Sequence, residues 1–188
     1  MPVELLRRLF TVEEYERMVQ ADILTAAELV ELLNGEIVEM SPIGTRYAVC
    51  VNRLNKLFLV QLGENALVSV QNPIRLNNYS EPQPDLTLLQ PRSDFYATAH
   101  PQPKDVLLIV EVVDTSADYD RQVKIPLYAK PGIVEVWLVD LVGQYLEVYR
   151  QPSANGYQQI QQLHRNQQIF IQSLPNLEIF IYNILGSN

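Results

Sequence analysis

Residues 105–114 have the sequence "DVLLIVEVVD". Its dense run of Leu, Ile and Val predicts a strand that is buried on both faces, as in the middle of a sheet. One carboxylate, Glu111, interrupts the run. Because an ionised carboxylate is costly to bury unless charge or hydrogen-bond donors lie opposite it, the sequence raises the question of what Glu111 faces.

Length and composition indicate a globular protein. The chain has 188 residues, 47% of them hydrophobic and 19% charged, which predicts a single domain over residues 1–188. No apolar run approaches the roughly 20 residues that would cross a bilayer, and the charged N-terminus is unlike a signal peptide. The single cysteine, Cys50, lies in an apolar pattern that favours a core position over a nucleophile. We therefore predict a cytoplasmic protein with no membrane partner.

The formal net charge of −8 restricts the function classes. It argues against a broad nucleic-acid-binding surface, although it permits a small basic groove, and acids that recruit cations would add to the same count. No His and Cys cluster has zinc-ligand spacing. There is no nucleophile-elbow motif, and His100 and His164 lie in polar contexts, so a serine or cysteine hydrolase has little support.

Local signals predict two helices and a hairpin in the first third of the chain. A capping box at residues 11–14 predicts a helix that ends near residue 19. The pair Asn34 and Gly35 between two apolar runs predicts a hairpin, in which Glu31 lies in the middle of a strand. A second helix should end near Gly63. Its apolar stripe has helical spacing and consists of Tyr47, Val51, Leu54 and Phe58.

The remainder alternates strands with one helix. We predict short strands at "ALVSVQ" (66–71), "PIRL" (73–76) and "DLTLLQ" (85–90), with a loop at "NNYSEPQP" between the last two. "SADYDRQVKIPLYAK" (116–130) predicts a helix capped by Ser116 or Asp118. "VEVWLVD" (134–140) predicts a buried strand that pairs around Gly143, and the Gln-rich tail predicts edge strands and a final turn. This order indicates a mixed α/β (α+β) sheet.

Three carboxylates stand where burial is expected: Glu31, Asp85 and Glu111. Each one alone could accept hydrogen bonds from loop amides or pair with an arginine. Together they would repel one another, and the usual relief is a divalent cation such as Mg²⁺. The following helix offers Lys124, which shares a face with Asp120 and Tyr128; alone, this spacing is typical of a solvated ion pair.

Four segments together resemble the core of the PD-(D/E)XK nuclease superfamily: "VELLNGEIVEMSPIG" (30–44), "QPDL" (83–86), "LLIVEVVD" (107–114) and "YDRQVKIPLYAKPGIVEVWLVD" (119–140). More closely, they resemble a large bacterial family of restriction-endonuclease-like proteins that was long catalogued as a domain of unknown function. The resemblance extends from about residue 10 to about residue 181. It implies a restriction-endonuclease-like mixed β-sheet core flanked by helices, with an N-terminal helix and hairpin.

The resemblance also implies a site. Asp85 and Glu111 would be ligands of Mg²⁺ or Mn²⁺, and Lys124 would take the place of the superfamily's lysine, moved from the strand onto the helix. Glu31 matches a further acid of the family motif. The sequence departs from the family at Tyr47, where a histidine is frequent, and after the Glu-Val segment, where Asp114 replaces a frequent serine.

The predicted function is metal-dependent hydrolysis of phosphodiester bonds in DNA by an endonuclease, for which a homodimer is one candidate assembly. Asp85, Glu111, Lys124 and Glu31 would form the catalytic set, with Tyr128, Asp120 and Tyr47 in support. Arg53, Lys56 and Arg121 are candidate phosphate contacts, although the sequence favours an ordinary surface charge for each of them. The alternative is a catalytically silent nuclease-fold domain that acts as a binding module and in which Glu111 and Lys124 form a buried ion pair.

Overall fold

The computed structural model describes residues 7–25, 27–114 and 117–186. Its centre is a six-stranded sheet in the order β3-β4-β5-β6-β7-β8, in which β5 and β6 are parallel and every other neighbouring pair is antiparallel. The strands are β3 Leu67–Val70, β4 Leu86–Leu89, β5 Val106–Val113, β6 Glu135–Asp140, β7 Tyr145–Ser153 and β8 Gly156–Leu163. The mixed fold class predicted from the sequence is confirmed.

Strand β5 lies between β4 and β6, as its composition predicts, and is buried at every position except Leu107. Its side chains alternate between two cores. Leu108, Val110 and Val112 pack in the core under helix α2 (Thr45–Leu62), whereas Ile109 and Val113 pack in the core on the opposite face. Because side chains two residues apart share a face, Glu111 points to the same face as Ile109 and Val113.

The parallel pairing of β5 and β6 requires a crossover, which the helical residues 117–129 supply. They comprise α3 Ala117–Tyr119, a π-helical turn Asp120–Lys124 and α4 Ile125–Ala129. The wide turn precedes Pro126, which has no N–H to donate to the preceding turn. The helix prediction is confirmed, but Asp118 lies inside α3 and so is not the cap; Ser116 is outside the described residues.

The N-terminal helices and hairpin also agree with the predictions from the sequence. Helix α1 (Val12–Gln20) begins with the predicted capping box. Strands β1 (Val30–Leu33) and β2 (Glu36–Glu39) form the hairpin, and Asn34 and Gly35 have φ of 50° and 81° at its turn. Helix α2 (Thr45–Leu62) ends before Gly63. Its buried residues, which pack on the sheet, are Cys50, Val51, Leu54, Phe58 and Leu62.

One predicted strand is wrong, because residues 73–76 belong to a loop. Ile74 N–H donates to Pro82 O at 3.0 Å and Leu76 N–H donates to Ser80 O at 3.0 Å, so the segment folds back on its own neighbours instead of joining a sheet. Ile74 and Leu76 are buried in the core beside α4. The alternation of apolar residues in this segment correctly predicted that these two side chains are buried, but it wrongly predicted that the segment pairs as a strand.

The tail supplies an edge strand and a final turn, as predicted. β8 is the last strand of the six-stranded sheet, while β9 (Gln168–Ile171) and β10 (Leu174–Phe180) pair separately. Helix α5 (Ile181–Leu185) then packs against the core. Within the described ranges, no helix is both long and apolar enough to cross a membrane.

Candidate active site

A pocket of about 500 Å³ opens where the β1-β2 hairpin, the start of α2, the entrance to β4 and the π-helical turn meet the sheet. Four of the acids and bases singled out in the sequence line it: Glu31, Asp85, Glu111 and Lys124. They come from segments far apart in the chain. The fold therefore brings the predicted catalytic set together in one place.

Glu111 faces Lys124 and Tyr128. The residue is 1% exposed, and its Oε1 lies 3.4 Å from Lys124 Nζ and accepts a 2.5 Å hydrogen bond from the Tyr128 hydroxyl. Its Oε2 accepts a weak hydrogen bond from the Asp85 N–H at 3.4 Å. A cation and two donors thus offset the burial of this carboxylate, which answers the question raised by its sequence.

Lys124 joins two of the acids. Its Nζ lies 3.2 Å from Glu31 Oε1 as well as 3.4 Å from Glu111 Oε1, and the residue is 7% exposed. Burial alone would favour the neutral amine, but the charges of Glu111, Glu31 and Asp85 outweigh it and raise the pKa of Lys124. The lysine is therefore a fixed positive charge near neutral pH.

Asp85 stands at the entrance of β4, beside these groups. Its Oδ2 accepts a 2.6 Å hydrogen bond from the Val112 N–H, and its Oδ1 accepts a hydrogen bond from the Tyr47 hydroxyl. Burial, followed by the nearby charge of Glu111, raises the pKa of Asp85, and Lys124 opposes that rise. Three carboxylates thus lie near a single lysine, whose one positive charge cannot balance all three when they are ionised.

Two glutamines that the sequence analysis did not single out complete the arrangement. Gln71 Nε2 donates to the Tyr47 hydroxyl at 3.0 Å, and Gln83 Nε2 donates to Gln71 O at 2.6 Å. The Gln83 N–H also donates to Glu31 Oε2 at 3.0 Å. Gln83 begins the "QPDL" segment, so its position two residues before Asp85 could have marked it as a site residue. No feature of the sequence marked Gln71.

Tyr47 acts in this site as a hydrogen-bond donor. Burial, and then the charge of Asp85, raises the pKa of its hydroxyl, so the group stays protonated near neutral pH. A histidine at this position could accept a proton in the physiological range, whereas Tyr47 cannot. Its geometry fits a role in orienting Asp85.

The lining as a whole is acidic. Among the described lining residues Lys124 is the only basic side chain, and the acids are Glu31, Glu39, Asp85, Glu111, Asp114 and Asp120. No group of three or more His, Cys, Asp and Glu side chains within the described residues is placed to enclose a metal ion. Mg²⁺, however, commonly binds one or two carboxylates and fills its other positions with water and phosphate. Asp85 and Glu111 could supply the two carboxylates of such a site.

The remaining predicted residues have varied positions. Tyr128 is fully buried behind Glu111, and Asp120 is a buried residue of the lining. Asp114 is 3.1 Å from the Arg46 guanidinium at the rim.

The three candidate phosphate contacts are not among the lining residues. Arg53 Nη1 donates to Ile184 O at 3.3 Å, which ties α2 to α5, and Lys56 is an exposed side chain on α2. Arg121 donates to Glu147 at 3.0 Å and to Asp140 at 2.9 Å. Its charge is thus engaged by acids on the neighbouring strands β6 and β7.

Two comparisons with known proteins identify the class to which this fold belongs. The crystal structure of a "putative nuclease belonging to DUF820" from Anabaena variabilis ATCC 29413 superposes with a TM-score of 0.72 over 94% of this chain and 97% of the other, at 14% identity. At that identity the likeness establishes the fold alone. Residues 12–182 match the family model Uma2, described as "Putative restriction endonuclease", and the chain belongs to this family. No curated protein matches the chain significantly.

Proposed function

We propose that the protein is a metal-dependent endonuclease that hydrolyses phosphodiester bonds in DNA. The observation that carries the proposal is the convergence of Asp85 and Glu111 with Lys124, whose Nζ is 3.4 Å from Glu111 Oε1, in a pocket open to solvent. Membership of a restriction-endonuclease family supports DNA as the substrate. The acidic lining supports a divalent cation, because the negatively charged backbone of DNA would otherwise be repelled.

Asp85 and Glu111 would hold the metal ion, Mg²⁺ or Mn²⁺. When bound, such an ion polarises a phosphate and lowers the pKa of a coordinated water. Each of the two acids is oriented by the protein: Tyr47 and the Val112 N–H bond to Asp85, and Tyr128 bonds to Glu111. This orientation fixes the two carboxylates on one side of the pocket.

Lys124 would stabilise the negative charge that develops on the phosphate during cleavage. Its proton is secure near neutral pH because the surrounding acids raise its pKa. Glu31 accepts from the Gln83 N–H and lies 3.2 Å from Lys124 Nζ, so it holds the ammonium group in place from the hairpin side. Glu31 is thus a positioning residue, and Lys124 is the residue that would reach the substrate.

A second candidate function is a silent nuclease-fold module that binds a partner. The observation that favours it is the saturation of the acids: each oxygen of Asp85 and of Glu111 already accepts a hydrogen bond from the protein. Tyr47 also favours this candidate, because the family that the sequence resembles frequently has a histidine at this position and tyrosine cannot replace it as a base. In this account the Glu31–Lys124–Glu111 cluster stabilises the fold and metal ions have no effect.

Cleavage of supercoiled plasmid DNA, with and without Mg²⁺ or Mn²⁺, separates the two candidates. We expect metal-dependent cleavage by the wild type and none by Asp85→Ala or Glu111→Ala, both of which should remain folded or gain stability because repulsion between the acids is relieved. The exposed Glu178→Ala is the matched control and should cleave normally. Metal-independent cleavage, or equal cleavage by Asp85→Ala, would refute the proposal; unfolding of both site variants would favour a structural role.

A further inference from the structure

The last strand of the central sheet, β8 (Gly156–Leu163), leaves one of its edges without a neighbour. It ends the strand order and pairs with β7 on its inner side. Within the described residues, the backbone groups of residues 158–162 make no hydrogen bond outside that pairing. Because alternate backbone groups of an antiparallel strand point away from its partner, β8 presents a row of free N–H and C=O groups.

Folded proteins usually protect such an edge with charged side chains, proline, a β-bulge or a very short strand. β8 has none of these features, since it is eight residues long, keeps one register with β7, and contains neither proline nor a charged residue. The strand at the other end of the sheet, β3, has four residues, all of them half-buried. Of the two edges of this sheet, β8 therefore offers the longer and more open template for a further strand.

Both faces of β8 are also open over most of its length. A strand of a packed sheet ordinarily buries every second side chain, but residues 158–162 are all exposed. The apolar residue among them, Ile160, is 61% exposed, and the amides of the other four form no hydrogen bond within the described part of the chain. Tyr157 is tied to the fold, since its hydroxyl donates to Ile133 O at 2.8 Å. The free surface thus begins at Gln158.

The residue order of this free surface is symmetric. Residues 158–162 have the sequence "QQIQQ", which reads the same in both directions. Two antiparallel copies centred on Ile160 would place this residue opposite itself. Gln159 would then lie opposite Gln161, and Gln158 opposite Gln162. Side chains directly opposite each other in antiparallel strands contact one another, so the apolar side chains would meet and each amide would meet an amide. A two-fold axis generates such a contact, because residue i then faces j while j faces i.

The charge of the chain also favours a second copy at this edge. Each copy has a formal net charge of −8, so two copies repel each other in most orientations. β8 contributes no charge, and hydrogen bonds between backbone groups and between amides need none. An edge without positive charge gives a nucleic acid nothing to bind electrostatically. A second copy of the same uncharged strand is therefore the partner that this edge fits best.

We propose that β8 pairs in antiparallel fashion with β8 of a second copy of this chain, in the register centred on Ile160. The pairing would join the two six-stranded sheets into one continuous sheet. No described lining residue of the candidate active site belongs to β8, so both sites would stay open. One strand on each side makes a small interface, so the dimer should form reversibly and depend on concentration. The inference concerns assembly and does not depend on DNA cleavage.

Sedimentation velocity of the full chain without DNA or metal tests the inference, at protein concentrations from about 1 μM to about 1 mM. We expect the mass to rise from 21.5 kDa towards twice that value. The double variant Gln159→Glu with Gln161→Glu sets like charges opposite each other twice per dimer and should weaken association about tenfold. Gln159→Glu with Gln161→Lys sets opposite charges face to face instead, and it should associate at least as tightly as the wild type at low salt.

The charge-matched control is Gln20→Glu with Gln61→Glu, because both residues are exposed outside β8, and it should associate as the wild type does. Circular dichroism verifies the fold of each variant. A wild type that stays monomeric at every concentration would overturn the inference and leave the edge to a strand from another protein. A like-charge variant that associates as tightly as the wild type would place the interface elsewhere and overturn it too. Equal weakening of the opposite-charge variant would exclude the register centred on Ile160 and with it the proposed pairing.

Discussion

Replacement of Lys124 by methionine tests how strongly the three acids depend on one cation. Methionine keeps much of the side-chain volume but removes the charge that lies 3.2 Å from Glu31 and 3.4 Å from Glu111. Glu31 would keep only the Gln83 N–H, and Glu111 would keep Tyr128 and a long contact to the Asp85 N–H. The variant thus leaves buried carboxylates without a compensating charge.

The expected loss is large because Lys124 is only 7% exposed and screening by water is weak. Removing one partner of a buried ion pair costs about 3–5 kcal/mol in the free energy of unfolding. For a chain of this size, each kcal/mol lowers the melting temperature by about 2–4 °C, so the variant should melt about 6–20 °C below the wild type at pH 7.

The loss should also depend on pH in a defined direction. In the wild type the pKa of Lys124 is raised, so its stabilisation is complete below about pH 10.4, the ordinary lysine pKa, and is lost only above it. In Lys124→Met, the pKa values of Glu31 and Asp85, already raised in the wild type, would rise further. Because the folded state then binds protons more tightly, the penalty is greatest above those raised pKa values and shrinks as the pH falls through them.

Thermal and urea unfolding followed by circular dichroism, at pH 7 and near pH 5, measure both effects. Lys130→Met is the matched control, since Lys130 is exposed at the end of α4, and it should change stability by less than about 0.5 kcal/mol. A Lys124→Met protein as stable as Lys130→Met at pH 7, or one whose deficit grows towards acidic pH, would refute the reasoning.

Three further substitutions probe the surroundings of the site. Tyr47→Phe removes the hydroxyl that lowers the pKa of Asp85, so the acidic limb of the pH–rate profile should move to higher pH; an unmoved limb would exclude the orienting role. Lys124→Ala should reduce turnover in single-turnover cleavage at saturating metal, and an undiminished rate would remove Lys124 from the mechanism. Glu135→Leu should destabilise the fold by about 3 kcal/mol in urea unfolding, because it removes the buried carboxylate that pairs with Arg150, while the candidate active site keeps its activity; loss of activity in folded protein would contradict that separation.

The elements predicted correctly depend on close neighbours in the chain. The capping box of α1, the Asn34–Gly35 turn and the apolar stripe of α2 are each complete within one or a few turns of backbone, so their signals are local. The segment 73–76 failed for the opposite reason. Its alternation showed that Ile74 and Leu76 are buried, but the choice between a strand and a folded-back loop depended on Pro82 and Ser80 further along.

The buried acids show the limit of the sequence most clearly. Glu135 in "VEVWLVD" interrupts an apolar strand just as Glu111 does, and it is fully buried. It nevertheless has a structural role and does not line the candidate active site. Its Oε1 accepts hydrogen bonds from Trp137 Nε1 at 2.8 Å and from Arg150 at 2.6 Å. Arg150 lies directly opposite Glu135 on β7. Only the register of the strands distinguishes the two acids, and only the resemblance to a nuclease family pointed to Glu111.

Glu81 was equally invisible in the sequence. It lies in a Pro-rich segment that predicts a loop, where an exposed acid is the ordinary expectation. Its N–H donates to Leu32 O at 2.8 Å, so this loop is held against strand β1. Contacts between segments that are distant in the chain leave no periodic signal, so the burial of Glu81 could be found only in the fold.

The central claim, that the converging acids hold a divalent cation, is tested most directly by melting temperature against Mg²⁺ and Mn²⁺, for the wild type beside Asp85→Ala. Binding at a metal concentration a hundredfold above Kd stabilises by about 2.7 kcal/mol, which is a rise of about 5–10 °C here. We predict that rise in the wild type and its loss in Asp85→Ala. No rise in either protein, or the same rise in both, would contradict the account and make the Glu31–Lys124–Glu111 cluster a structural feature of the fold.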